Sequence, residues 1–291
     1  MNIPAHLYPF EPKRLSIDGI NLAYLDEGSG PPVLMVHGNP SWSIYYRNLV
    51  QELSSRHRCI VPDHIGCGFS DKPGLDQYPY TLERRIADLG RLMEHLNLDE
   101  PITLIVHDWG GMIGMSWAVE HAEKIARIVV LNTAAFPLPA TKKLPATLSL
   151  VRNTWLGSLL VKHGNAFSRG ATTMAIKRNP MSKELKNAYM APYDSPANRI
   201  ATLRFVQDIP LKASDPGYDI VANTASKLDR FANTPVLVCW GDKDFVFDHH
   251  FLAVWEQTWP HAKVHRFPDC GHYVLEDAPK EIAALVSDFL G

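Results

Sequence analysis

Val106-His107-Asp108-Trp109-Gly110 is the stretch on which the reading of this chain turns. The apolar run before it, Ile102-Thr103-Leu104-Ile105-Val106, reads as a buried strand. The run after it, from Gly110 to Ala118, reads as a helix packed closely on that strand, with Gly110 and Gly111 small enough for a sharp turn. Strand, sharp turn and helix form a nucleophile elbow, which pushes one side chain outward at the top of a sheet and usually carries serine there. Here the residue is aspartate. At pH 7 its carboxylate is already an anion and needs no base to make it nucleophilic. It attacks ester and amide carbonyls weakly but displaces a good leaving group from saturated carbon, leaving a covalent ester to be broken later. Asp108 therefore points to displacement at an electrophilic carbon; the plainer alternative is an aspartate that only caps the following helix.

Outward from that turn, strands alternate with helices. Candidate strands are Arg14–Ile17, Asn21–Tyr24, Val33–Val36, Cys59–Pro62, Thr103–Val106, Ile128–Leu131, Pro235–Trp240 and Lys263–Phe267. Leu82, Ile86, Leu89, Met93 and Leu96 share one helical face behind Thr81, a fitting N-cap, and a last helix starts near Pro279. This alternation predicts an α/β fold with a mostly parallel, doubly wound sheet. From Phe136-Pro137-Leu138-Pro139 to about residue 230 it stops, and helical segments punctuated by Pro145, Pro180, Pro192, Pro196 and Pro210 take its place. The expected organisation is a core of residues 1–136 and 231–291 with a helical cap, 137–230, inserted into it.

Composition narrows the function class. The chain has 291 residues, 46% hydrophobic, with a net charge of -2. There is no basic stripe and no nucleic-acid-binding motif, so no nucleic acid partner is expected. The amino terminus lacks the charged and apolar regions of a signal peptide, and no run is long and apolar enough for a transmembrane segment. Cys59, Cys67, Cys239 and Cys270 have no CxxC spacing and read as reduced, packed thiols, so a cytoplasmic location is expected.

Three further segments bear on Asp108. His37-Gly38-Asn39-Pro40 follows a strand where an oxyanion loop would sit. The N–H groups of Asn39 and Trp109 could cradle an ester carbonyl, and the Asn39 amide and Trp109 indole could hold a departing anion. Gly271-His272-Tyr273 offers His272 as general base, in the chain order the elbow uses. Gly241-Asp242-Lys243-Asp244 offers the acid that orients His272, with Asp244 favoured and Asp242 as a turn-former. Asn132-Thr133, the other place where such an acid could sit, holds no carboxylate. Asp248-His249-His250 reads as the opening of a helix, so no metal is expected. Phe136 and the cap residues Trp155, Leu156, Leu159, Leu160, Phe167, Met174 and Phe205 supply apolar surface for a substrate pocket or for the cap's own core.

These segments resemble the α/β-hydrolase superfamily, in particular its haloalkane dehalogenase branch, over nearly the whole chain. The likeness rests on His37-Gly38-Asn39-Pro40-Ser41-Trp42, Pro62-Asp63-His64-Ile65-Gly66-Cys67-Gly68, His107-Asp108-Trp109-Gly110-Gly111 and Gly271-His272. It implies Asp108 as nucleophile, His272 as base, Asp244 as acid, and Asn39 with Trp109 as the clamp for the leaving anion. In the cap, Arg152-Asn153-Thr154-Trp155-Leu156-Gly157, Ala191-Pro192-Tyr193-Asp194-Ser195 and Arg204-Phe205-Val206-Gln207-Asp208 are similar to the β-lactone decarboxylases of bacterial olefin synthesis; Pro196 departs from that pattern. That resemblance implies conversion of cis-3,4-dialkyl-oxetan-2-ones to cis-alkenes and carbon dioxide, no cofactor, a small substrate with alkyl chains, and assembly with other olefin-biosynthesis enzymes. Haloalkane dehalogenation is the second expectation. Epoxide hydrolysis, which would need Tyr189, Tyr193 or Tyr218 facing the pocket, and a non-catalytic ligand receptor, which would need a broken triad, follow behind.

Overall fold

The computed structural model describes residue 1 and residues 3–291. Eight strands form one sheet: β1 (Lys13–Ile17), β2 (Ile20–Glu27), β3 (Pro32–Val36), β4 (Arg58–Pro62), β5 (Ile102–Asp108), β6 (Ile125–Thr133), β7 (Val236–Gly241) and β8 (Lys263–Phe267). Their order in space is β1-β2-β4-β3-β5-β6-β7-β8. Pairs β1/β2 and β2/β4 are antiparallel and all others parallel. The central strands β3, β5 and β7 are buried along their whole length, as strands covered by helices on both faces must be. The edge strand β8 instead exposes Lys263, His265 and Arg266, charge and polarity that discourage pairing with another chain.

The core helices are α1 (Arg47–Leu53), α2 (Leu82–Leu96) and α3 (Trp109–Glu120). Thr81 caps α2 as its position predicts, its hydroxyl accepting the Arg84 N–H at 3.3 Å, and Asn97 ends the helix in the left-handed conformation. Helix α3 is buried almost all round and lies against β3, β5 and β6.

Between β6 and β7 the chain forms α4 (Ala146–Asn153), α5 (Trp155–Gly164), α6 (Ala166–Met174), α7 (Lys183–Met190), α8 (Ile200–Gln207) and α9 (Tyr218–Ser226). Strands β6 and β7 are hydrogen-bonded neighbours, so the chain leaves the sheet and returns beside its point of departure. Helices α4, α5, α6 and α8 pack on one another, whereas α9 lies on α3, where Thr224 and Ser116 pair their hydroxyls at 2.7 Å. After β7 come α10 (His249–Thr258), α11 (Val274–Asp277) and α12 (Pro279–Leu290). All four cysteines are buried and unpaired. Among the described residues no helix is long and apolar enough to cross a membrane.

Candidate active site

The elbow forms where β5 runs into α3. Asp108 has φ 52° and ψ −125°, a backbone conformation that costs a non-glycine residue about 1–3 kcal/mol and persists only when neighbours hold it. The neighbours here are specific. The Thr133 hydroxyl donates to the Asp108 carbonyl, and the Asn39 N–H donates to Asp108 Oδ1 at 2.6 Å. The Asp108 side chain makes no capping bond to α3, which removes the helix-cap reading. Gly38 and Gly110 allow the close approach: a Cβ on Gly38 would overlap the Asp108 carboxylate, and one on Gly110 would overlap the Val36 carbonyl.

His272 follows β8 and points back toward β5. Its Nδ1 lies 2.7 Å from Asp244 Oδ2 and its Nε2 3.5 Å from Asp108 Oδ2. Asp244 Oδ1 accepts the Val246 N–H at 2.7 Å, while its Oδ2 also accepts the Asn132 amide at 3.1 Å. Asp242 pairs with Arg266 at the surface instead. The structure thus brings Asp108, His272 and Asp244 into one line, hydrogen-bonded between His272 and Asp244 and in charge contact between His272 and Asp108, with all three buried.

Charge in this line is balanced against burial. Burial pushes the Asp108 carboxyl above its ordinary value, although His272 and the N–H groups of Asn39 and Trp109 pull it back. Burial would lower His272, but the carboxylates of Asp244 and Asp108 outweigh it and raise the imidazole above 6.5. The line therefore stores a proton on or near His272 more readily than free histidine would.

The Asn39 amide donates to the Thr202 carbonyl at 3.0 Å, so one of its two N–H bonds is committed to α8. Its Oδ1 is buried without a partner among the described residues. Trp109 packs on Phe205 at 5.3 Å between ring centroids, and Phe205 in turn carries the buried Arg85 guanidinium at 3.7 Å.

Asp108, Asn39, Trp109 and His272 face a cavity of about 310 Å³. The core contributes Met112, Phe136, Val246 and Phe247 to its wall, and the inserted helices contribute Leu148, Leu160, Phe167, Gly170 and Met174. Phe136 and Phe167, two of the four pocket residues expected from sequence, line it. Trp155 and Phe205 do not: Trp155 stands on the surface, 78% exposed, because α5 turns that face to solvent. Phe205 is consumed between Trp109 and Arg85, behind the cavity wall. Tyr189 and Tyr193 are fully buried, with hydroxyls donated to Glu276 and to the Ser41 carbonyl. Neither lines the cavity, nor does Tyr218, so the tyrosines that epoxide opening requires are not there.

Two supports escaped sequence reasoning. His107 donates from Nε2 to the His272 carbonyl at 2.9 Å, and burial with the neighbouring His272 keeps it neutral. Asn132, at φ 36°, donates to both Asp244 and the Gly241 carbonyl and accepts the Gly241 N–H at 2.8 Å. Its signal in the sequence was an amide standing where the fold could have placed the acid.

The family model for the alpha/beta hydrolase fold matches residues 31–279. A cis-3-alkyl-4-alkyloxetan-2-one decarboxylase of Shewanella oneidensis is 57% identical over 98% of this chain and 89% of its own length. One of Xanthomonas campestris is 47% identical over 97% of both chains. Haloalkane dehalogenase 2 of Mycobacterium tuberculosis is 31% identical over 98% of this chain and 96% of its own. The solved haloalkane dehalogenase from Agrobacterium tumefaciens, 22% identical, superposes with a TM-score of 0.87 over 99% of this chain and 98% of that one, a likeness of fold.

Proposed function

The chain belongs to the alpha/beta hydrolase family, and from that membership we propose that it is an enzyme converting cis-3,4-dialkyl-oxetan-2-ones to cis-alkenes and carbon dioxide. The observation that carries this reading is a buried carboxylate nucleophile facing an apolar cavity, in a chain 57% and 47% identical to proteins named for that reaction.

Asp108 Oδ1 is held by the Asn39 N–H, and the proposed attacking atom is Oδ2. In the proposed first step Oδ2 bonds to the ring carbon that bears oxygen, with inversion. The ring C–O bond breaks and its electrons stay on the released carboxylate. The Asn39 amide and the Trp109 indole N–H stabilise that developing anion. In the second step the bond from the adjacent carbon to the carboxylate breaks, and its electron pair forms the alkene. Carbon dioxide departs, and the Asp108 carboxylate is expelled on the opposite face. One inversion followed by one anti elimination turns a cis ring into a cis alkene. Neither step consumes water or moves a proton. The apolar wall favours the second step, because a carboxylate stripped of water is destabilised relative to neutral carbon dioxide. His272, as imidazolium beside Asp108, stabilises the carboxylate that leaves, and Asp244 and Asn132 orient it.

This reading includes a cytoplasmic protein, in keeping with four buried, unpaired thiols, and association with the enzymes that make the lactone. Pull-down with those enzymes tests the latter. The same carboxylate and clamp would also release halide from a haloalkane, and the 31% identical dehalogenase keeps that as a second reading. The deciding experiment is gas chromatography of products from a synthetic cis-dialkyl β-lactone. A cis-alkene, lost in Asp108→Ala, supports decarboxylation. No alkene above the thermal background, with halide released from bromoalkanes, moves the assignment to dehalogenation.

A further inference from the structure

Helix α5 is amphipathic the wrong way round. Its buried residues are Gly157 and Val161, whereas Trp155, Leu156, Leu159 and Leu160 are 78%, 43%, 46% and 42% exposed. At 3.6 residues per turn these four fall within about 140° of arc, so they form one outward stripe. Leu150 on α4 and Met174 on α6, 40% and 44% exposed, bring the large exposed apolar residues of these three helices to six. Leu150, Leu160 and Met174 also line the cavity, so its wall is continuous with this surface.

The segment that carries the stripe is one-sided in charge. From Pro137 to Ser182 the chain holds seven Lys and Arg and no Asp or Glu, although the whole chain carries a net charge of -2. Lys142, Arg152 and Arg178 spend their charge on Asp248, Asp215 and Asp269. Lys143, Lys162, Arg169 and Lys177 form no ion pair among the described residues. Lys162 lies along the edge of the stripe, one turn beyond Leu159, and His163 lies within it.

We propose that the α4–α6 face docks on the surface of an anionic lipid bilayer, with Trp155 and the leucines of α5 entering the acyl boundary and the unpaired basic side chains meeting lipid phosphates. Tryptophan and leucine on one face of a short helix, with basic residues beside them, is the make-up of a helix lying in the interface plane. A second copy of the chain fits less well: a two-fold contact sets each patch against its own copy, bringing cations onto cations. Docking would turn the apolar wall of the cavity toward the phase in which long-chain compounds dissolve. That last point rests on the lipophilic substrate proposed above; the docking itself does not.

Co-sedimentation with vesicles tests it without reference to turnover. The full chain should pellet with mixed phosphatidylglycerol and phosphatidylcholine vesicles at low salt, and at least tenfold more weakly with phosphatidylcholine alone or at high salt. Trp155→Glu with Leu159→Glu should lose at least tenfold in partitioning while keeping its melting temperature. Lys143→Glu with Arg169→Glu should lose the preference for anionic lipid. A wild type that stays in the supernatant with both vesicles overturns the proposal. So does an acidic α5 variant that pellets as well as wild type. A concentration-dependent dimer abolished by the α5 variant, without vesicle binding, would assign the face to a second copy instead.

Discussion

At the scale of single residues, the proposed roles of His272 in the two readings have opposite signs. Decarboxylation uses the imidazolium, whereas hydrolysis of an alkyl ester needs the neutral imidazole to take a proton from water. The carboxylates of Asp244 and Asp108 hold the imidazole above its ordinary value of 6.5. Alkene formation should therefore be maximal below that raised value and fall as pH rises through it. Ester hydrolysis would rise over the same interval. A kcat profile measured on a β-lactone from roughly pH 5.5 to 9, the interval around histidine titration, distinguishes them, and a rising limb would refute the assigned role. Asn132 tests the support behind His272. In Asn132→Ala the Gly241 N–H loses its buried partner, Asp244 loses a donor, and alanine must adopt a left-handed φ of 36°. A buried unsatisfied group alone costs about 1–3 kcal/mol. We expect a lower melting temperature together with about a tenfold fall in kcat, of the order one misdirected hydrogen bond accounts for. Unchanged kcat in a folded variant would show that Asn132 only braces β6 against β7.

Elements differ in how much of their position the sequence carries. Helix α2 was legible because its one amphipathic face and the Thr81 cap agree locally. The strands were legible because central β3, β5 and β7 are mainly apolar runs, and the ends of the strands differ from expectation by one to three residues. Asp108, His272 and Asp244 were legible because each sits on the turn after a strand, where topology alone brings them together. The helices between β6 and β7 were not. Trp155 and Phe205 look equally suited to a pocket, but their destinations depend on the rotation of α5 and α8 about their axes. Gly157 packs on the α4 backbone at Leu150 and Val151, and Phe205 on the distant Arg85 guanidinium, contacts between elements that the pattern of neither α5 nor α8 alone displays. The test at this scale is Thr81→Ala. Loss of an N-cap costs about 1 kcal/mol, and in a chain of this size that is about 2 °C of melting temperature. Alkene formation well below the melting temperature should be unchanged, since α2 reaches the cavity with no residue. A drop in turnover would mean that α2 transmits its position to Trp109 through Arg85 and Phe205.

For the whole molecule, the cavity sets a limit on what the reaction can accept. At about 310 Å³ it lies at the small end of ligand pockets, which run from about 300 to 1,000 Å³. Two long alkyl chains on one ring exceed it, and the route we propose for the excess chain runs along the helices between β6 and β7 toward Leu150, Leu160 and Met174, which line the cavity and reach the surface. Gly170 sits in that wall, and a Cβ added there would meet only Met174 Sδ, at 3.9 Å. A Cβ at position 170 therefore fits without backbone movement, which makes Gly170→Leu the substitution that tests this wall. It should also stabilise α6 slightly, since glycine in a helix interior costs up to about 1 kcal/mol. Its side chain would take the space of one or two methylenes of substrate, each worth about 1–3 kcal/mol of discrimination. In a competition between a short-chain and a long-chain cis-β-lactone, the ratio of kcat/KM should shift at least tenfold toward the short one, with the melting temperature held or raised. The same shift should appear in the alkenes detected, because chain length is read before the ring opens. An unchanged ratio in a folded Gly170→Leu would mean that the chains leave by another route, and the continuity between cavity and α5 surface would lose its proposed purpose.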